Sequence, residues 1–167
     1  MSLYNKGNGI AYVLDDSLIE ISAAAVRMAE MGYMLSGCGL QKVLYSLKYL
    51  ADHDFDAAFD NQVAEYLFEP NRQKYSLDKL VLGYFDTPCE EGDAEILKDE
   101  INYVSAGLSS EACLRRAFFS SHVKERLEAK LEGEDFAKMN DLFRKCEMPL
   151  VSTLAAMEYE GIKCDPE

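Results

Sequence analysis

The sequence predicts a helix-rich α/β domain with a small sheet on its N-terminal side. Apolar residues recur at helical spacing through most of the chain, whereas segments with strand composition are few and all begin before residue 60. Hydrophobic residues make up 49% of the 167 residues, which is enough for one domain with a core of ordinary size.

Three segments near the N-terminus have strand character. Residues 9–14 (GIAYVL) follow the turn-forming KGNG, which predicts a β-hairpin at this point. Residues 32–37 (GYMLSG) form a short apolar run between glycines, which is typical of a buried strand. The segment FDAAF around Phe55 is a weaker third strand.

Helical spacing accounts for most of the remaining chain. A first helix is expected after Ser17 as N-cap and should end before Gly32. A second, LQKVLYSLKYLA, places five apolar residues on one face: Leu40, Val43, Leu44, Leu47 and Leu50. A third, NQVAEYLF, is closed by Pro70.

The C-terminal half is predicted to be almost wholly helical. A helix follows Ser76 as N-cap, another runs toward Tyr103, and a long one spans residues 109–133 with its stop at Gly133. In the last helix Leu150, Val151, Leu154 and Met157 follow helical spacing, and Gly161 is placed for a left-handed cap.

The charge of the chain restricts its partners. With a formal net charge of −13 it is a poor nucleic-acid binder by itself, because such binding depends on Lys and Arg displacing counterions from phosphates. It has neither an apolar run of about 18–20 residues nor a signal peptide, so it is predicted to be cytoplasmic and not to bind membranes. Its five cysteines include no CxxC pair, which favours reduced thiols over a disulfide framework or a zinc site.

One acidic segment has the spacing of a calcium-binding loop. Asp52, Asp54, Asp56 and Asp60 stand at positions 1, 3, 5 and 9 of such a loop, but Ala57 and Val63 replace the glycine and glutamate that it requires. We therefore expect a solvated acidic turn here.

Three stretches of the sequence resemble bacterial DNA polymerases I, which are family A DNA polymerases. Residues 66–85 (YLFEPNRQKYSLDKLVLGYF) are similar to a segment in which a helix ends at a proline, an arginine-containing turn follows and a Tyr-Ser-Leu-acidic-x-Leu helix begins. Residues 147–165 (EMPLVSTLAAMEYEGIKCD) resemble the junction into the polymerase domain. Residues 58–67 (AFDNQVAEYL) resemble the family's Phe-Asp-Thr helix start, and the three lie in family order.

The resemblance implies two parts. Residues 1–146 look like the 3′–5′ exonuclease domain, which has a ribonuclease-H-like fold, truncated here at its N-terminal strand. Residues 147–167 look like the first thumb helix of the polymerase domain. By continuity, residues 9–14 would be an outer strand of the exonuclease-like domain.

In this family, exonuclease chemistry needs two metal ions held by carboxylates. The Asp-x-Glu of the first strand has no counterpart, since the DAE at residues 93–95 falls in an acidic loop. The Asp expected at a strand-to-helix turn is replaced by Gly39, with Cys38 at the neighbouring His. Tyr103 matches the family's late-helix Tyr, but its partner Asp falls on Gly107 or, in a later register, on Ser109. The nearest acid, Glu111, does not fit.

These replacements imply a catalytically degenerate exonuclease-like domain with a structural role in a polymerase of DNA replication or repair. No catalytic, cofactor-binding or metal-binding residue is assigned to the fragment, and Mg²⁺ is expected only for the parent nucleotidyltransferase. The expected partners are the rest of the polymerase chain and, through it, DNA; an exposed sheet edge could also cause self-association. Two alternatives remain: an active metal-dependent proofreading exonuclease with ligands upstream, and a stand-alone acidic protein-interaction module.

Overall fold

A computed structural model describes the backbone of residues 2–5, 10–13, 18–86 and 110–163, and the side chains of residues 21–86 and 115–163. Elements are numbered over these described residues. The strands are β1 (Ser2–Asn5), β2 (Ile10–Val13), β3 (Leu35–Gly37) and β4 (Ala57–Asp60). The helices are α1 (Leu18–Glu30), α2 (Leu40–Ala51), α3 (Asn61–Phe68), α4 (Leu77–Phe85), α5 (Ser110–Leu131), α6 (Ala137–Leu142) and α7 (Met148–Glu160).

The described strands form two small sheets. β1 and β2 pair antiparallel, with Ser2 opposite Val13 and Asn5 opposite Ile10, which confirms the predicted hairpin. β3 and β4 pair parallel, with Gly37 opposite Asp60 and an irregularity between Leu35 and Ser36. Both short strand predictions are confirmed, and the chain is a helix-rich α/β protein as the sequence predicted.

Helix α2 is the crossover that a parallel β3–β4 pair requires. Its bounds agree with the predicted segment, and left-handed residues stand at both of its ends, Gly39 before it and Asp52 after it. Leu40, Leu44 and Leu47 are buried, but Val43 is 43% exposed and Leu50 is 39% exposed. Because only the i, i+4, i+7 stripe faces the core, the predicted five-residue face was too wide.

The hydrophobic core lies between the β3–β4 pair and helices α2, α4, α5 and α7. Its largest fully buried side chains include Phe59 on β4 and Phe143, whose ring centroids lie 4.8 Å apart. The same core contains three fully buried leucines, Leu80 on α4 and Leu127 and Leu131 on α5. The fold therefore depends on contacts between the middle of the chain and its end.

Helix α7 belongs to this core. It packs along α2 and against β4, buries Met148, Val151 and Ala155, and its Ser152 Oγ accepts a hydrogen bond from the Ala57 amide at 3.4 Å. The sequence places a domain boundary between residues 146 and 147. That boundary stays a prediction, and α7 shares one core with the elements before it.

Several helix ends differ from expectation. α5 ends at Leu131, and Gly133 is extended at φ −61° rather than left-handed, so it serves as the start of a 3₁₀ turn at Glu134–Phe136. Gly161 has the predicted positive φ of 69°, but its ψ of −172° is outside the left-handed helical region. The turn KGNG, the Ser17 cap and the helix toward Tyr103 lie outside the described residues. Among the helices described, none is long and apolar enough to cross a membrane.

Candidate functional site

The carboxyl edge of the parallel β3–β4 pair is the candidate site. In α/β folds, ligands usually bind where parallel strands end and the following helices begin. Here β3 is followed by Cys38 and Gly39, which lead into α2, and β4 ends at Asp60, which leads into α3. Gly39 is also the position at which the family resemblance expects a metal-binding aspartate.

Asp60 joins the two helix N-termini at this edge. Its Oδ2 accepts a hydrogen bond from the Leu40 amide at 2.6 Å, and its Oδ1 accepts from the Gly39 amide at 3.2 Å and the Gln62 amide at 2.8 Å. The first amides of a helix have no partner within the helix, and a carboxylate there satisfies them. One side chain therefore caps both α2 and α3.

Asp60 is almost completely removed from solvent, at 2% exposed. Burial raises the pKa of its carboxyl above the ordinary aspartate value, because a buried charge loses its hydration. The hydrogen bonds from the backbone of Leu40, Gln62 and Gly39 lower this pKa and so oppose the effect. With both carboxylate oxygens already accepting from amides, Asp60 is a structural cap rather than an exposed metal ligand.

Gly39 has no side chain to offer the site, and its backbone explains why glycine suits this position. Its φ of 73° and ψ of 46° are left-handed, a conformation that other residues adopt at a cost. A Cβ at Gly39 would stand 3.3 Å from Gln62 Oε1. The neighbouring Cys38 is partly buried, and its thiol donates to the Tyr75 carbonyl at 3.8 Å.

The structure places one of the predicted site positions and leaves the others open. Gly39 stands at a strand-to-helix turn, whereas Tyr103, Gly107 and Ser109 lie outside the described residues, as does the DAE of residues 93–95. Glu111 lies on α5, but its side chain is also outside the described part. Within the side chains described, no group of three or more His, Cys, Asp or Glu residues could hold a metal ion.

The segment with calcium-loop spacing divides between surface and core. Asp54 is exposed and pairs with Lys48 at 2.6 Å, as a solvated turn would allow. The prediction of a solvated turn was wrong for Asp60, whose side chain faces inward because both helix ends need it. An aspartate directly before an apolar helix is an N-cap signal, and that signal marks Asp60.

A second polar cluster, not foreseen from the sequence, holds the turn between α3 and α4. Glu65 is 2% exposed, pairs with Arg72 through its Oε1, and accepts a hydrogen bond from the Tyr84 hydroxyl on its Oε2 at 2.6 Å. Burial raises the pKa of the Tyr84 hydroxyl, and the hydrogen bond to Glu65 raises it further by a smaller amount. A Cβ at Gly83 would lie 3.1 Å from Arg72 Nη2, so the glycine leaves room for the guanidinium.

This cluster has a structural role. Buried carboxylates are stable only when paired and hydrogen-bonded, and Glu65 has both kinds of partner. The cluster spans most of residues 66–85, for which the sequence predicts a helix, a turn and a second helix. It links Glu65 on α3 to Arg72 in the turn and to Tyr84 on α4.

The chain matches no protein-family model, no curated protein sequence and no solved structure.

Proposed function

We propose that this chain is a catalytically silent 3′–5′ exonuclease-like domain of a family A DNA polymerase, with a ribonuclease-H-like fold, followed by the first thumb helix of that polymerase. The parent protein would be a cytoplasmic, Mg²⁺-dependent nucleotidyltransferase of DNA replication or repair. Its catalytic residues would lie outside the present chain.

The observation that carries the proposal is the chemistry of the β3–β4 carboxyl edge. The position expected to supply a metal ligand is Gly39, and the nearby carboxylate, Asp60, is buried and accepts hydrogen bonds from three backbone amides. Hard divalent cations need several converging oxygen ligands with free lone pairs. An edge with this composition supports a scaffold better than a two-metal nuclease.

The proposed role of the domain is to hold the polymerase architecture. Helix α7, the proposed thumb helix, buries one face in the core of the domain and thereby joins the two parts. DNA would be contacted through the parent polymerase, because the chain itself has a net charge of −13.

A primer assay on the full-length gene product tests the proposal. The protein is incubated with a primer–template carrying a mismatched 3′ end, once with Mg²⁺ alone and once with Mg²⁺ and nucleotides. Extension without trimming is the expected result. If the protein neither extends nor trims the primer, the result contradicts the polymerase assignment and favours a stand-alone interaction module.

Trimming would have a different meaning. If the mismatched end is removed with Mg²⁺ alone, and a chelator abolishes the removal, the domain holds metals and the silent reading is wrong. A matched polymerase-inactive variant of the same gene product shows whether the trimming is independent of the polymerase site.

A further inference from the structure

The helix that leads to the C-terminus contains a wide turn just before α7. Residues Phe143–Glu147 form a π-helix between α6 and α7, and the Met148 amide donates to the Phe143 carbonyl five residues back. Helical backbone runs without a break from Ala137 to Glu160. A π-turn within an α-helix carries one residue more than the regular turn, and such turns are rare.

The wide turn aligns the buried residues on its two sides. In a regular α-helix, residues five apart lie about 140° apart around the axis, so Phe143 and Met148 could not face the same core. The bond from Met148 to Phe143 instead puts them about one turn apart. Both are buried, Phe143 at 0% exposed and Met148 at 4%, and Val151 and Ala155 continue the same stripe.

A proline stands two residues after the end of the π-turn, as the second residue of α7. Pro149 has no amide hydrogen, and in a regular helix its ring would collide with the carbonyl four residues earlier, that of Lys145. The π-turn occupies the segment in which that collision would occur. The proline therefore disfavours the regular α-helical alternative.

We propose that Phe143–Glu147 is a register element: its one additional residue sets the rotation of α7 about its own axis. If one residue is removed within Phe143–Glu147 and the segment becomes a regular α-helix, Phe143 and Met148 still face the same core. Removing a residue beyond the element rotates the stripe out of the core. The element also fixes the direction of the opposite side of α7, where Leu150 is 47% exposed and Met157 is 62% exposed.

Two single-residue deletions in a Pro149→Ala background of the whole chain test the proposal. Cys146 is exposed and lies within the π-turn, so its deletion should leave the melting temperature within about 3 °C of the parent variant. Leu150 is also exposed but lies beyond the turn. Its deletion moves Ser152 into the buried place of Val151 and should lower the melting temperature by about 6 °C or more.

The comparison between the two deletions decides the result. A small change for the Cys146 deletion together with a large loss for the Leu150 deletion supports the register element. Equal losses, including failure of both variants to fold, overturn the proposal, and so does equal tolerance of both.

Discussion

Removing the Asp60 side chain is predicted to loosen two helices at once. Asp60→Ala leaves the first turns of α2 and α3 without their shared acceptor. Loss of an N-cap costs about 1 kcal/mol, and a buried amide left without a partner, here that of Leu40, costs about 1–3 kcal/mol. These costs sum to about 2–4 kcal/mol, and relief from burying a charge offsets part of them, so we expect the free energy of unfolding to fall by about 2 kcal/mol.

Urea denaturation followed by circular dichroism measures this change. With a slope of about 2 kcal/mol per molar urea, the midpoint should fall by about 1 M. The matched control is Asp56→Ala, which removes an exposed carboxyl close by and should change the free energy by less than about 0.5 kcal/mol. If the Asp60 and Asp56 variants unfold at the same urea concentration, the double-cap reasoning is refuted.

Three further predictions follow from the buried groups. Arg72→Met should lower the free energy of unfolding by about 2–4 kcal/mol, because it strands the buried Glu65 carboxylate; a Glu65→Gln/Arg72→Met double variant that loses as much as the sum of the single variants would contradict the pairing. Phe143→Ala should cost about 3–5 kcal/mol by the same measurement, against less than about 1 kcal/mol for Phe118→Ala, whose ring is 41% exposed; equal losses would disprove the described core. Because folding raises the pKa of Asp60, there is a pH range above about 4 in which its carboxyl is protonated in the folded protein but ionised in the unfolded chain. The contribution of Asp60 to the free energy of unfolding is therefore largest below about pH 4 and decreases as the pH rises through the folded pKa. The unfolding free energy of the native chain minus that of Asp60→Asn should therefore fall from pH 4 toward pH 7, and a difference that rises would show the opposite pKa shift.

Local patterns predicted the elements whose determinants are local. α2 and α3 have the bounds that apolar spacing and Pro70 predicted, because a helix stripe and its breaker lie within one stretch of sequence. The two short strands were also found: β3 lies in the apolar run between glycines, and β4 overlaps the weaker segment FDAAF. These features need no knowledge of distant contacts.

The polar groups that hold the fold could not be predicted in the same way. Asp60 caps a helix that begins 20 residues earlier, a pairing that exists only once β3 and β4 lie side by side. A glutamate on a helix is normally expected to be exposed to solvent. Glu65 is buried because Arg72 and Tyr84, which come later in the chain, contact its carboxylate. The π-turn before α7 was not predicted, because the spacing of apolar residues is compared with one fixed helical repeat.

The candidate site was predicted through resemblance, and of its positions the described residues include Gly39 and the neighbouring Cys38. No pattern of charge or spacing pointed to it, since a missing ligand leaves no signal of its own. What the structure adds is the reason why a glycine suits that turn: a left-handed backbone close to Gln62.

The most direct test of the silent-nuclease proposal is the rate at which the full-length gene product shortens single-stranded DNA from its 3′ end. The DNA carries a label at its 5′ end, so that 3′ trimming gives a ladder of shortened products, and the metal is Mn²⁺ or Mg²⁺ without nucleotides. Our account predicts no ladder above the level seen with a chelator. A metal-dependent ladder that persists in a polymerase-inactive variant would contradict it.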